Sequence, residues 1–383
     1  MYNTRTIKIG GFAHIEPALI GGGNPVVIQT MWKDRLSFSC LEGEAGRAVL
    51  VRIGQLAGMG CGLLRFAVPD LAAAEALGSL AERTPMPLVA DIHFDYKIAL
   101  RCLDFPVAKI RINPGNIGSR EKVEKVLSKA ALKKVPIRIG VNAGSLPADL
   151  RPKVDSGELG RAEALVAAAE RELAVFGGFG FVDVLVSLKA SSVTETIRAN
   201  RLLAERFAGG GLSPPLHVGV TEAGPLVAGV ARNAAALCAL LSAGIGDTIR
   251  VSLSDSEENE VIAGREILAL AGELAAFRVA DRPPEGAAGG GNAHNNGGIL
   301  REYKEDPRPA AAIVSCPRCG RNGFDTHGFT ARWLNRIYAL KKRCTIAVMG
   351  CAVNGPEEAK HADLGITGAG DKVLIFLRGK VVR

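Results

Sequence analysis

From residue 26 to residue 253, short β-branched apolar runs alternate with longer stretches of good helix formers. The runs are Val26 to Thr30, Leu63 to Val68, Pro87 to Phe94, Val107 to Asn113, Pro136 to Val141, Val182 to Lys189, Leu216 to Thr221 and Thr248 to Leu253. Each is short enough for a buried strand. Between them lie Ala72 to Leu77, Arg120 to Ala131, Arg161 to Val175, Thr194 to Phe207 and Asn233 to Leu241, which read as helices. Eight strands alternating with helices over roughly 250 residues predict an α/β fold of the (β/α)8 TIM-barrel class.

Such a barrel requires its chemistry at the C-terminal strand ends, on side chains two residues apart that share a face. The ends supply Asp91 with His93, Arg111 with Asn113, Ser187 with Lys189 and Arg250 with Ser252. Arg65 and Arg138 occupy comparable places, while Asn142 and Thr221-Glu222 begin the following loops. Four arginines and one lysine therefore converge on one mouth. Like charges brought together out of water need an anion to neutralise them, and the guanidinium fork matches paired phosphate oxygens. The expected ligand is a phosphate or diphosphate. His217, at a strand start, reads as structural, and Cys40, Cys61, Cys102 and Cys238 read as packed core thiols.

After residue 282 the pattern stops. Residues 283–299, rich in glycine and asparagine, bury no apolar face and read as a flexible linker between a barrel domain over 1–282 and a small domain over 300–383. In the small domain Ala311 to Val314 and Thr345 to Met349 read as strands, about Thr330 to Leu340 as a helix, and Val373 to Leu377 with Arg378-Gly379 as a closing hairpin, an α+β arrangement.

Composition changes this picture little. The chain has 383 residues, 48% of them apolar, and a net charge of +8. Its basic residues are scattered and only 5% of residues are aromatic, which argues against a nucleic-acid partner and for an anionic substrate. The start carries no apolar leader and no window is long enough to span a membrane, so a cytoplasmic, membrane-free protein with reduced cysteines is expected.

The small domain holds Cys316-Pro-Arg-Cys319 and, later, Cys351-Ala-Val-Asn-Gly-Pro-Glu-Glu358. CxxC alone also suits zinc or a redox disulfide. Zinc would require Cys344 as a fourth ligand at an unusual spacing, so an iron–sulfur site is the stronger reading. Three thiolates with a carboxylate would leave one iron with an exchangeable oxygen ligand, which turns an electron carrier into a catalyst.

Longer motifs then carry a family resemblance. Val-Ala-Asp91-Ile-His93-Phe-Asp-Tyr, Arg111-Ile-Asn-Pro-Gly-Asn-Ile-Gly, Ile-Arg138-Ile-Gly-Val-Asn142-Ala-Gly-Ser-Leu, Thr221-Glu222-Ala-Gly, Gly-Ile-Gly-Asp-Thr-Ile-Arg250-Val-Ser252, Cys316-Pro-Arg-Cys319-Gly-Arg and Met-Gly-Cys351-Ala-Val-Asn-Gly-Pro span nearly the whole chain. Together they resemble the bacterial 4-hydroxy-3-methylbut-2-enyl diphosphate synthases of the non-mevalonate isoprenoid pathway. The resemblance implies a sulfite-reductase-like small domain with one 4Fe-4S cluster on Cys316, Cys319, Cys351 and Glu358. It also implies a homodimer in which the cluster domain of one subunit caps the barrel mouth of the other. The implied reaction is a two-electron reductive ring opening of 2-C-methyl-D-erythritol 2,4-cyclodiphosphate with loss of water, fed by ferredoxin or flavodoxin. Arg65, Arg111, Arg138, Lys189 and Arg250 would hold the diphosphate. Asp91, His93, Asn113, Asn142, Ser187 and Ser252 would orient the ligand, and Glu222 would protonate the departing oxygen. Two departures stand out: Glu357 where the family carries glycine, and Met31-Trp-Lys-Asp-Arg35 where it continues Met-Thr-Asn-Thr.

Overall fold

The computed structural model describes residues 3–92, 95–113, 117–143, 146–208, 210–211, 213–280, 311–315, 324–350, 362–369 and 372–382. The chain divides into two units, Met1–Asp306 and Pro307–Arg383. The linker expected over 283–299 lies outside the described residues.

The first unit opens with an antiparallel hairpin of β1 (Ile7–Ile9) and β2 (Ala18–Ile20). Eight strands follow: β3 (Val27–Met31), β4 (Cys61–Ala67), β5 (Leu88–Asp91), β6 (Lys109–Ile112), β7 (Ile137–Asn142), β8 (Val184–Lys189), β9 (His217–Val218) and β10 (Thr248–Ile249). All neighbours are parallel, in the order β8-β7-β6-β5-β4-β3-β10-β9. A bridge between Val186 and Leu216, with the Val186 N–H donating to Pro215 O at 3.0 Å, closes β8 onto the segment entering β9. The expected barrel is present, and every predicted strand falls on an observed one.

Helices cover the outer face because their sequences give them caps and apolar sides. Asp70, Asp95 and Ser192 accept from the N–H groups of Ala73, Lys97 and Glu195, starting the helices Leu71–Ala81, Tyr96–Cys102 and Val193–Phe207. Alternation along the strands sends Leu64, Phe66, Ile110, Ile137, Ile139 and Val186 outward into the helix layer. Inside the lower end, Leu63, Val89, Ala108 and Leu185 pack against Ile7, Ile9, Ile15 and Ile20 of the hairpin, which plugs the barrel floor. Cys61 and Cys102 are buried with their thiols pushed up to about 12 by burial, whereas Cys40 and Cys238 are only partly covered. Among the described residues, no helix is long and apolar enough to cross a membrane.

The second unit is a five-stranded sheet with one described helix, Thr326–Tyr338. Strands β11 (Ala311–Ser315), β12 (Cys344–Met349) and β13 (Leu364–Ala369) run parallel, and β14 (Lys372–Leu377) and β15 (Lys380–Val381) add antiparallel at one edge. Arg378 and Gly379 both have positive φ (47° and 78°), the backbone a two-residue hairpin turn demands.

Candidate active site

Above the apolar floor the barrel interior turns polar. Lys109 Nζ on β6 donates to Gln29 Oε1 on β3 at 3.0 Å, and on the other side Lys189 Nζ lies 3.1 Å from His217 Nε2. The second His217 nitrogen meets Thr248 Oγ1. This layer is buried, and burial first, then the neighbouring cations, drive the Lys109, Lys189 and His217 pKa values well below their ordinary ranges. His217 thus buttresses Lys189 from within the barrel, consistent with its structural reading.

One step higher, at the strand ends, the anticipated cations come together. Parallel pairing sets Asp91 beside Arg111, Arg111 beside Arg138, and Asn142 beside Lys189. Asp91 serves two arginines: Arg111 Nη1 donates to Oδ1 at 3.1 Å, and Arg65 Nε lies 3.5 Å from Oδ2. Arg65 Nη2 also donates to Met31 Sδ at 3.0 Å. Arg250 lies in a fork with Glu260, Nε to Oε2 at 3.1 Å and Nη2 to Oε1 at 2.9 Å. Arg138 and Lys189 have no carboxylate partner among the described residues, and Arg138 Nε and Nη1 are buried without any hydrogen-bond acceptor there. Desolvation, reinforced by the adjacent guanidinium groups, pulls the Arg138 pKa down and lowers Arg65 to about 10.

Two glycines make this crowding possible. A Cβ on Gly140 of β7 would collide with the Arg111 guanidinium, and one on Gly219, after β9, would strike the Arg250 carbonyl and crowd Lys189 Nζ at 3.2 Å. Gly219 has φ 156°, which ends β9 after two residues and explains why the ladder stops short of the predicted Thr221. Neither glycine announced itself in the sequence.

The remaining expected residues surround the cations unevenly. Asn113, Asn142 and Ser252 are half-buried at the ends of β6, β7 and the β10 segment. Ser187 is buried and its hydroxyl donates to Ile139 O at 3.3 Å. Glu222 is exposed on the loop after β9 with φ 53°, a left-handed backbone that a non-glycine residue rarely adopts. His93, Cys316, Cys319, Cys351, Glu357 and Glu358 lie outside the described residues. What precedes the cysteines is described: β11 and β12 are parallel neighbours with Ser315 opposite Val348, so the strands leading to Cys316 and Cys351 end at the same side of one sheet.

Sequence reasoning missed Lys109, Gln29, Lys33 and Glu260. The divergent Met31–Arg35 segment is anchored through Trp32 and Lys33, while Asp34 and Arg35 are exposed. Trp32 is buried and stacks on Phe66 at 5.5 Å between centroids, Arg52 lies 4.8 Å over the Trp32 ring, and Lys33 pairs with Glu260.

The barrel matches the GcpE TIM-barrel domain over residues 4–265, and the second unit matches the GcpE protein C-terminal domain over residues 312–383. The chain belongs to the GcpE family. Among its GcpE relatives, the 4-hydroxy-3-methylbut-2-en-1-yl diphosphate synthase (flavodoxin) of Treponema denticola is 47% identical over 396 residues, covering 99% of this chain and 91% of the relative. The protein of the same name from Treponema pallidum is 48% identical, covering 100% and 86%. That from Bacillus subtilis is 40% identical, covering 99% and 86%. GcpE membership therefore extends over both units.

Proposed function

We propose that this protein is an oxidoreductase of non-mevalonate isoprenoid biosynthesis, converting 2-C-methyl-D-erythritol 2,4-cyclodiphosphate to 4-hydroxy-3-methylbut-2-enyl diphosphate by two-electron reductive ring opening with loss of water. The observation that carries this reading is the buried cation cluster at the C-terminal mouth of a GcpE barrel, whose Arg138 has two buried donors with no acceptor among the described residues. A diphosphate supplies what those donors lack. Its oxygens accept from the forks of Arg65, Arg111, Arg138 and Arg250 and from Lys189, in a desolvated site where such bonds are strong.

Asp91 orients the arginines and, with His93, Asn113, Asn142, Ser187 and Ser252, the sugar-derived carbon frame. Glu222, on its left-handed loop, is the acid that protonates the departing hydroxyl so that it leaves as water. Cys316, Cys319, Cys351 and Glu358 would hold a 4Fe-4S cluster, which would supply electrons one at a time. Those electrons come from flavodoxin or ferredoxin, and the homodimer shares its active site between subunits in the cytoplasm. The GcpE relatives' common name, the cation cluster and the shared end of the strands leading to Cys316 and Cys351 support this reading.

Anaerobic reconstitution with iron and sulfide should give a brown protein that turns over the cyclic diphosphate with a reduced donor. Folded, cluster-loaded protein that neither binds nor consumes that substrate overturns the proposal. Cys351→Ser should abolish the visible cluster absorption, and an intact cluster in that variant refutes the ligand set.

A further inference from the structure

Glu260 has no role in the reaction above, yet five donors converge on its carboxylate. It sits in the first turn of the helix Glu257–Ala280, which follows β10, and is 1% exposed. Oε2 accepts from Thr30 Oγ1 at 2.5 Å and from Arg250 Nε at 3.1 Å. Oε1 accepts from Arg250 Nη2 at 2.9 Å, from the Leu253 N–H at 3.1 Å and from Lys33 Nζ. Burial alone would push this carboxyl up, but Arg250 and Lys33 prevail and hold it below the usual carboxylate range. A carboxylate has about four lone-pair sites, so five donors leave nothing for a substrate.

What the two cations retain is more telling. Glu260 takes one whole edge of the Arg250 guanidinium, and no described residue accepts from Nη1. Lys33 gives one proton to Glu260 and one to Leu253 O at 3.0 Å, which leaves its third without a described acceptor. The two cations come from opposite ends of the barrel sequence, Lys33 after β3 and Arg250 at the end of β10, and these strands are neighbours in the sheet. Lys33 belongs to the segment in which this chain departs from the family pattern.

We propose that Glu260 is a positioning residue for the anion site: it fixes the Arg250 fork and holds Lys33 beside it, so that each presents its remaining donor to the substrate's phosphate oxygens. Lys33 is thereby a further binding residue. The proposal rests on the reading that the mouth binds the cyclic diphosphate.

The test is a sign. If Glu260 only offsets charge, Glu260→Gln makes the mouth one unit more positive and tightens anion binding. If it positions, the amide nitrogen confronts two cations, the fork is released, and the Kd of the cyclic diphosphate rises about tenfold or more. Calorimetric titration of the whole protein reads this directly, and in turnover KM should rise more than kcat falls. On an Arg250→Ala background Glu260→Gln should weaken binding much less than it does alone. Equal or tighter binding by Glu260→Gln, or full additivity with Arg250→Ala, overturns the proposal. Should Glu260→Gln fail to fold, Lys33→Met keeps the Glu260–Arg250 fork and should still weaken binding about threefold; unchanged binding overturns the role of Lys33. Wild-type protein that binds no cyclic diphosphate refutes the functional reading itself, whereas wild-type binding with an indifferent Glu260→Gln refutes only this inference.

Discussion

The two ends of the barrel are made on the same strands, two residues apart, yet they obey opposite rules. On β4 the step is from Leu63 to Arg65, on β5 from Val89 to Asp91, and on β8 from Leu185 to Ser187 and Lys189. At the floor each inward side chain is aliphatic and meets the isoleucines of the β1–β2 hairpin, so burial is favourable without any polar partner. At the mouth burial works against the chain, because guanidinium groups leave water and only Asp91 and Glu260 pair with them closely among the described residues. Each buried donor without an acceptor costs about 1–3 kcal/mol, so the mouth is held together against its own preference by the rest of the barrel. The floor is where the fold is stabilised; the mouth is where that stability is used to keep a site ready for an anion.

The sharpest way to break this contrast is Arg138→Met. The replacement is of similar length and removes two donors that no described residue satisfies. Turnover of the cyclic diphosphate should fall by about 100-fold or more in kcat/KM, since several charge-assisted bonds are lost. Thermal stability without ligand should stay level or rise. A variant that melts well below the parent while retaining substrate affinity would reverse the assignment of the mouth.

The floor should show the mirror image. Leu185→Ala removes a fully buried side chain from contact with the hairpin and should destabilise the protein by about 2–5 kcal/mol in denaturant unfolding. Substrate KM, measured well below the melting temperature, should barely move. A large KM change with little loss of stability would mean that floor and mouth are mechanically coupled and that the division drawn here is false.

The same contrast explains how much was legible in the sequence. Strands β3 to β8 could be read because each is a short run dominated by apolar and β-branched residues, and the site cations could be read because they interrupt or end such runs toward the C-terminal side of the barrel. The hairpin plug could not, since Ile7–Ile9 and Ala18–Ile20 are three residues each, too short for a period to stand out. Glu260 was hidden for another reason. It stands in Glu257-Glu258-Asn259-Glu260 at a helix start, a cluster that ordinarily faces water and favours the helix dipole. Here Glu257 and Glu260 are buried against Arg52, Lys33 and Arg250 instead. Lys109 was overlooked because a lysine at a strand start usually marks the edge of burial, and only the closed barrel brings it to Gln29 across the interior. Local pattern reveals which residues end up inside; it does not reveal which polar residues inside will face one another.

The smallest effect is a pH dependence, and its direction follows from the layer beneath the mouth. His217 is buried and, through desolvation and then Lys189, holds its pKa well below the ordinary value. Below about pH 6.5 the unfolded chain therefore binds a proton at this position that the folded chain refuses, so stability falls as pH falls. Lys189 behaves alike at higher pH: its pKa is pulled down by burial and by Arg138 and Arg65, so between that depressed value and about pH 10.4 the unfolded chain again holds the extra proton. Ligand-free protein should thus gain stability as pH rises through both windows, by at most about 1.4 kcal/mol per pH unit for each proton. Inorganic diphosphate should flatten the upper slope, because an anion in the mouth favours the charged lysine, and His217→Gln should flatten the lower one. Chemical denaturation at a series of pH values measures both slopes. A stability that falls with rising pH in the absence of ligand would mean that Lys189 is charged and paired in the native protein, and the mouth would then be neutralised from within rather than waiting for a phosphate.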